Sequence, residues 1–175
     1  MAISTINQNG LNAPLTLTSP VLNSPAFSGT PTGTLVSANM PTGSVLQVVG
    51  ATFSTQTSTT STSYVATGLT LSITPKFSTS KILITGMINI QGAANNDSYW
   101  TIYKNGSNLS TSTSGFGIVE AGTQVVLSTQ GINYFDSPAT TSAITYAIYC
   151  KVGGGTQFWC INGQPATLTA LEIAG

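Results

Sequence analysis

A chain of 175 residues fits one compact domain with a small appendage, and a 41% hydrophobic content is enough to build a core. Only 5% of the residues are charged, four Lys against four acids with no Arg, where an ordinary globular protein has about 25%. That scarcity of cations excludes a phosphate-gripping nucleic-acid binder and a polybasic membrane-surface protein, and the absence of His removes the commonest general base and the commonest metal ligand.

The N-terminus, MAISTINQNG, has neither a basic region nor an apolar run, so no secretory leader is expected. No apolar run approaches the ~20 residues of a membrane helix, so no membrane insertion is expected. Residues 1–43 are then set apart by Pro14, Pro20, Pro25, Pro31 and Pro41, in a stretch rich in Ser, Thr and Asn. Proline lacks the N–H and pushes its predecessor towards extended geometry, which argues against helix here. The segment also carries Leu15, Leu17, Val21, Leu22, Phe27, Leu35 and Val36. An extended segment cannot bury these against itself, so it reads as an attachment arm that lays them against sibling copies or another protein. The other reading is a tail packed back on its own domain.

From residue 44 the pattern has a period of two. Leu69, Leu71 and Ile73 alternate with Thr70, Ser72 and Thr74, and Ile144, Tyr146, Ile148, Cys150 and Val152 alternate with Thr145, Ala147, Tyr149 and Lys151. Half-buried strands read this way. Strands are expected near 44–53, 63–74, 80–91, 98–104, 107–113, 123–134, 142–152, 156–161 and 166–174. The run 45–53 is apolar on both faces, as an interior or interface strand would be. Asn105-Gly106 predicts a tight hairpin, and Ala93 to Asp97, Asp136-Ser137-Pro138 and Gly153 to Gly155 are further breaks. The expected fold is all-β: an antiparallel two-sheet sandwich, jelly-roll-like, over residues 44–175, preceded by the extended arm.

Chemistry is sparse. Without His a Ser-His-Asp triad is impossible, and Ser80-Lys81 sit on opposite faces of a strand. Asp97, Glu120, Asp136 and Glu172 are widely spaced, with no sign of a carboxylate pair. Asp136 is expected to cap a turn and Glu172 to pair with a lysine. Cys150 and Cys160 flank the glycine run and would be diagonal neighbours across a hairpin centred on Gly154. They read as small buried apolar residues, with a disulfide as the alternative. No catalytic residue, cofactor or metal site is predicted, and no enzyme. The one candidate ligand surface is aromatic: Asp97, Tyr99, Trp100 and Tyr103 together could stack a sugar ring and bond its hydroxyls. Ordinary strand packing, with Trp100 in the core, is the other reading.

Several segments in order resemble a β-rich module of tailed-phage tail fibre and virion structural proteins, of the marine and cyanobacterial phage type. They are Met40-Pro-Thr-Gly-Ser-Val-Leu-Gln-Val-Val49, Ser72-Ile-Thr-Pro-Lys-Phe-Ser-Thr-Ser-Lys-Ile-Leu-Ile84, Phe135-Asp-Ser-Pro-Ala-Thr-Thr-Ser-Ala-Ile-Thr-Tyr146 and Thr167-Leu-Thr-Ala-Leu-Glu-Ile-Ala-Gly175. The arm, with Phe27-Ser-Gly-Thr-Pro-Thr-Gly33, is similar to the extended segment that precedes that module. The resemblance implies a virion component assembled in the bacterial host cytoplasm. It further implies a homotrimer whose arm docks on other virion proteins of the capsid or tail and whose sandwich faces outward. No shaft of repeats is present, which favours a short fibre or a decoration protein. A module that recognises host surface glycan is the alternative function.

Overall fold

The structure, a computed structural model, describes Ser37 and residues 40–175. The expected assembly residues Leu15, Leu17, Val21, Leu22, Phe27, Leu35 and Val36 lie outside the described residues. The described chain is a two-sheet antiparallel sandwich, as its alternation predicts. In order the strands are β1 (Val45–Phe53), β2 (Thr57–Thr59), β3 (Val65–Ile73), β4 (Lys81–Gly92), β5 (Ser98–Lys104), β6 (Ser107–Asn108), β7 (Gly117–Val119), β8 (Val126–Asp136), β9 (Ile144–Val152), β10 (Gln157–Trp159) and β11 (Ala166–Ile173).

Strand β4 organises the first sheet. β8 pairs with it along Ile82–Gly92. Its other side is therefore shared, by β11 against Lys81–Met87 and by β10 against Ile90 and Gln91. β1 lies outside β11, and β2 outside β10. The second sheet runs β3-β9-β5, with β6 and β7 both on the far side of β5. Period-two alternation sends every second side chain of each strand between the sheets. Ile82, Ile84, Ile88 and Ile90 of β4 are fully buried there, facing Leu69, Leu71 and Ile73 of β3 and Ile144, Tyr146 and Ile148 of β9. Each such side chain contributes about 1.5–3 kcal/mol by leaving water.

Several expectations need correction. The expected strand 107–113 stops at Asn108, because the polar run beyond it bonds to its own backbone. Asn108 Oδ1 accepts from the Ser110 N–H, Ser110 Oγ from the Ser112 N–H, and Ser112 Oγ from the Ser114 N–H. Such i to i+2 bonds give the backbone an alternative to a strand ladder. The glycine run 153–155 is not a hairpin: β9 and β10 lie in different sheets, so the turn crosses the sandwich. Cys150 and Cys160 are both buried and unbonded, as the apolar-thiol reading expects. Finally, of the two readings of the run 45–53 the interior one fails: among the described residues β1 pairs only with β11, and Val45 and Val48 are exposed while Val49, Ala51 and Phe53 pack inward. The Asn105-Gly106 hairpin forms as predicted, with φ of 49° and 81°, joining β5 to β6.

Glu172 is fully buried and meets no ammonium group. Its carboxylate accepts from Ser80 Oγ at 2.6 Å, the Lys76 backbone N–H at 2.6 Å and Gln47 Nε2 at 2.5 Å. The expected pairing with a lysine does not form, and Lys76 contributes its backbone N–H, not its charge. The carboxylate pins the β3–β4 connection to β1 and β11. Burial pushes its pKa up, but the bonds from Ser80, Gln47 and the Lys76 and Phe77 amides outweigh that and hold it below the ordinary value. A carboxyl with a depressed folded pKa adds stability that is complete above the ordinary glutamate range and is lost as the pH falls through the lower native value. Glu172→Gln should cost about 1–3 kcal/mol at neutral pH, since it leaves buried donors badly paired. Urea unfolding at a series of pH values should also show a flatter acid limb for the variant than for the parent.

Candidate functional site

The outward face of the second sheet is aromatic. On β5 the alternation sends Trp100 and Ile102 inward and Tyr99 and Tyr103 outward. In the neighbouring strand β9, Ala147 lies across from Tyr103, Tyr149 from Thr101 and Lys151 from Tyr99. Tyr103 and Tyr149 stack with ring centroids 3.8 Å apart and planes at 15°. Tyr64, just before β3, meets Tyr103 edge-on at 6.4 Å. The ammonium of Lys151 sits 4.8 Å from the Tyr64 ring centroid and 4.9 Å from that of Tyr99, a cation–π arrangement on two sides. It also donates to the Thr113 carbonyl at 2.7 Å, which holds the serine-rich loop against this face. Burial, with smaller electrostatic contributions from Cys150, Tyr103 and Tyr99, pushes the Tyr64 hydroxyl up to about 12.

Beside the stacked pair lies a trough of about 270 Å³. Ala66, Gly68 and Ala147 form a low floor, Tyr103 and Tyr149 an aromatic side, and Thr70 and Thr145 supply hydroxyls. No charged residue lines it. Thr70 Oγ1 donates to the Tyr146 carbonyl at 3.1 Å, which leaves its oxygen free to accept. A small apolar floor, a ring wall and neutral acceptors suit an uncharged, hydroxyl-bearing ligand.

The four residues predicted from sequence do not form one site. Tyr103 lines the trough. Tyr99 lies four residues along the same face and donates to Asp97 Oδ2 at 3.3 Å. Trp100 is 4% exposed, inside the core, and stacks on Phe116 at 6.3 Å. Tyr149 and Thr145 went unselected, although the alternation of β9 already places both outward. What the sequence could not supply was the β5–β9 register that brings Tyr149 onto Tyr103.

The acids are occupied structurally. Asp136 is not a turn cap: Lys104 Nζ donates to both of its oxygens at 3.0 Å, and the Tyr146 hydroxyl donates to Oδ2 at 2.5 Å. Burial first, and then this bond, push the Tyr146 hydroxyl far above its ordinary pKa. Among the described residues no three His, Cys, Asp or Glu side chains gather as a metal site.

The outward face of the first sheet is a second surface. The registers put Val48, Leu171, Leu83 and Phe135 side by side across β1, β11, β4 and β8. Val48 is 59% and Phe135 57% exposed. An apolar row across four strands on a solvent-facing side is the kind of patch that marks an interaction surface.

No protein-family model and no curated protein matches the chain. Its fold is similar to parts of chains in solved structures of infectious bursal disease virus. For the Gt strain the identity is 14% and the TM-score 0.46, over 86% of this chain and 42% of that one. For the Gx strain they are 14% and 0.40, over 75% and 33%. A mutant VP2 protein of the same virus, in derived T=1 particles, gives 15% and 0.42, over 86% and 41%. This chain thus spans less than half the length of those it matches. A likeness of this degree says nothing of what the chain binds or does.

Core and surface aromatics should separate cleanly on substitution. Trp100→Ala should cost about 3–5 kcal/mol, the range for emptying a buried ring site. Tyr99→Ala should cost under ~1 kcal/mol as a surface change. Denaturant unfolding monitored by circular dichroism measures both.

Proposed function

We propose that the chain is a structural component of a phage particle, a short fibre or a capsid or tail decoration protein. Residues 1–43 attach it to other virion proteins and the β domain, 44–175, faces outward. The observation that carries the reading is the outward apolar row Val48–Leu171–Leu83–Phe135, exposed at its two ends and half-buried between them, on a chain with 5% charged residues and net charge zero. Charge of that kind gives a freely diffusing monomer little protection against association. It suits a protein whose neighbours are fixed. The ordered segments that resemble phage virion proteins supply the kind of assembly, and the same resemblance implies three copies of the chain.

The attachment role has a direct test. Particles assembled with a chain lacking residues 1–43 should carry about ten-fold less of it or lower, the loss expected when even 1.4 kcal/mol of docking is removed. Quantitative mass spectrometry of purified particles reads this. Normal incorporation would put attachment in the β domain. The mass of the full-length chain in solution reads the copy number.

A second reading, recognition of host surface glycan, is favoured by the trough beside Tyr103 and Tyr149. Its lining is uncharged, so the ligand is a neutral saccharide rather than a sialylated or sulfated one. Tyr149→Ala should weaken retention on a neutral-glycan array by about ten-fold without shifting the melting temperature by more than a few degrees. Equal retention of parent and variant would remove the trough from consideration.

A further inference from the structure

Strand edges are where this sandwich exposes unpaired backbone, and natural sheets blunt such edges by shortness, bulges, Lys or Pro. Most edges here follow that rule. β2 and β7 have three residues and β6 has two. β1 has a register shift between Val45 and Gln47, and β3 has one between Ala66 and Thr70. β8 does not follow it. It is 11 residues long, pairs with β4 in unbroken register, and pairs with no other strand among the described residues. It contains no Lys or Pro, and its one charge, Asp136, is buried against Lys104.

Gly131 stands at the middle of this strand without a reason in its own fold. A Cβ there would meet no atom within 4 Å. Its φ is not in the left-handed region, and no bulge occurs. Glycine weakens a strand interior, and its uses there include close approach of a ligand or of another backbone.

We infer that β8 is a pairing edge for a second copy of this chain, joined antiparallel across a two-fold axis at Gly131. This deepens the proposed structural role by naming a contact between copies, and it rests on that reading for its biological setting alone. Full overlap of two Val126–Asp136 strands fixes the register, with Gly131 opposite its twin. The outward residues then match: Leu127, 67% exposed, faces Phe135, 57% exposed, and Thr129 faces Asn133. Two apolar pairs are thereby covered, one on each side of the axis, and no like charges oppose one another along the outward face. A two-fold contact demands a self-complementary patch of this kind. The pairing holds two β domains together, and where three copies form one oligomer it joins neighbouring oligomers, because a two-fold contact cannot be shared equally by three copies.

Cysteine cross-linking on the full-length chain tests the register. Gly131→Cys should form a covalent dimer on mild oxidation, because directly opposed strand residues lie within disulfide reach. Leu127→Cys alone should not, since its copies would stand about 26 Å apart along the strands. The parent thiols are both buried and should give no dimer. Gly131→Lys, placed in open space, should leave the circular-dichroism spectrum of the folded chain unchanged and halve the mass in solution.

Equal cross-linking of the Gly131 and Leu127 variants, or a mass untouched by Gly131→Lys, overturns the inference. So does persistent protection from hydrogen exchange, in a Gly131→Lys variant of halved mass, of those β8 amides that point away from β4, which would mean that the chain covers its own edge. The virion reading fails separately. A chain that pairs as described but never appears in purified particles overturns that reading and not the pairing, and an unpaired chain that enters particles does the reverse.

Discussion

The sandwich depends on β4 being paired along most of its length on both sides. Its 12 residues bond to β8 on one side and to β11 and then β10 on the other, so every other strand of the first sheet takes its position directly or indirectly from it. Gly86 makes this possible at the crowded point. A Cβ there would lie 2.1 Å from the Thr167 carbonyl oxygen, so any side chain would push β11 off the ladder. The four fully buried isoleucines flanking that glycine, two on each side, then fix which face of the sheet meets the second one. The topology follows: the chain crosses between the sheets after β2, β3, β4, β7, β8 and β9, and each crossing adds an inward row to the same core.

A chain with so few charges uses two of its four acids inside. Glu172 and Asp136 are both buried, and each is satisfied by several donors. A buried carboxylate is costly unless so paired. These two sit where connections leave the sheets: Glu172 at the β3–β4 turn and Asp136 at the end of β8, tied to β5 and β9. Dispersion and burial hold the sheets face to face without directional preference, whereas these carboxylates fix the ends of strands in one place. Little charge then remains for the surface, where Lys151 is itself held between two tyrosine rings.

The fold class was legible because period-two alternation is a local signal, and β3, β4, β9 and β11 carry it over eight residues or more. Side-chain competition for the backbone was the less visible factor. Asn108, Ser110 and Ser112 stand at strand-like spacing, and only the bonds their side chains accept from the N–H two residues on reveal turns. The glycine run 153–155 misled for a different reason, since a hairpin and a crossing between sheets share the same turn chemistry. Which one occurs is set by where the partner strands lie. The tyrosine face was half legible. Tyr99 and Tyr103 are four apart on one strand, but Tyr149 joins them through a pairing 46 residues distant in sequence. Asp136 likewise finds Lys104 and Tyr146 only once three strands are in place.

The two outward faces divide the labour of such a domain by their chemistry. The second sheet presents rings already stacked on one another and a lysine already bonded, so its side chains are ordered before any ligand arrives and lose little entropy on binding. The first sheet presents aliphatic side chains and a ladder edge that no described strand covers, features that gain from a partner that removes both from water. A protein that diffused alone would be selected to interrupt that edge with a lysine or a bulge. Among the described residues the eleven of β8 stand uninterrupted while the other edges are blunted, and the pairing inferred for β8 rests on that contrast.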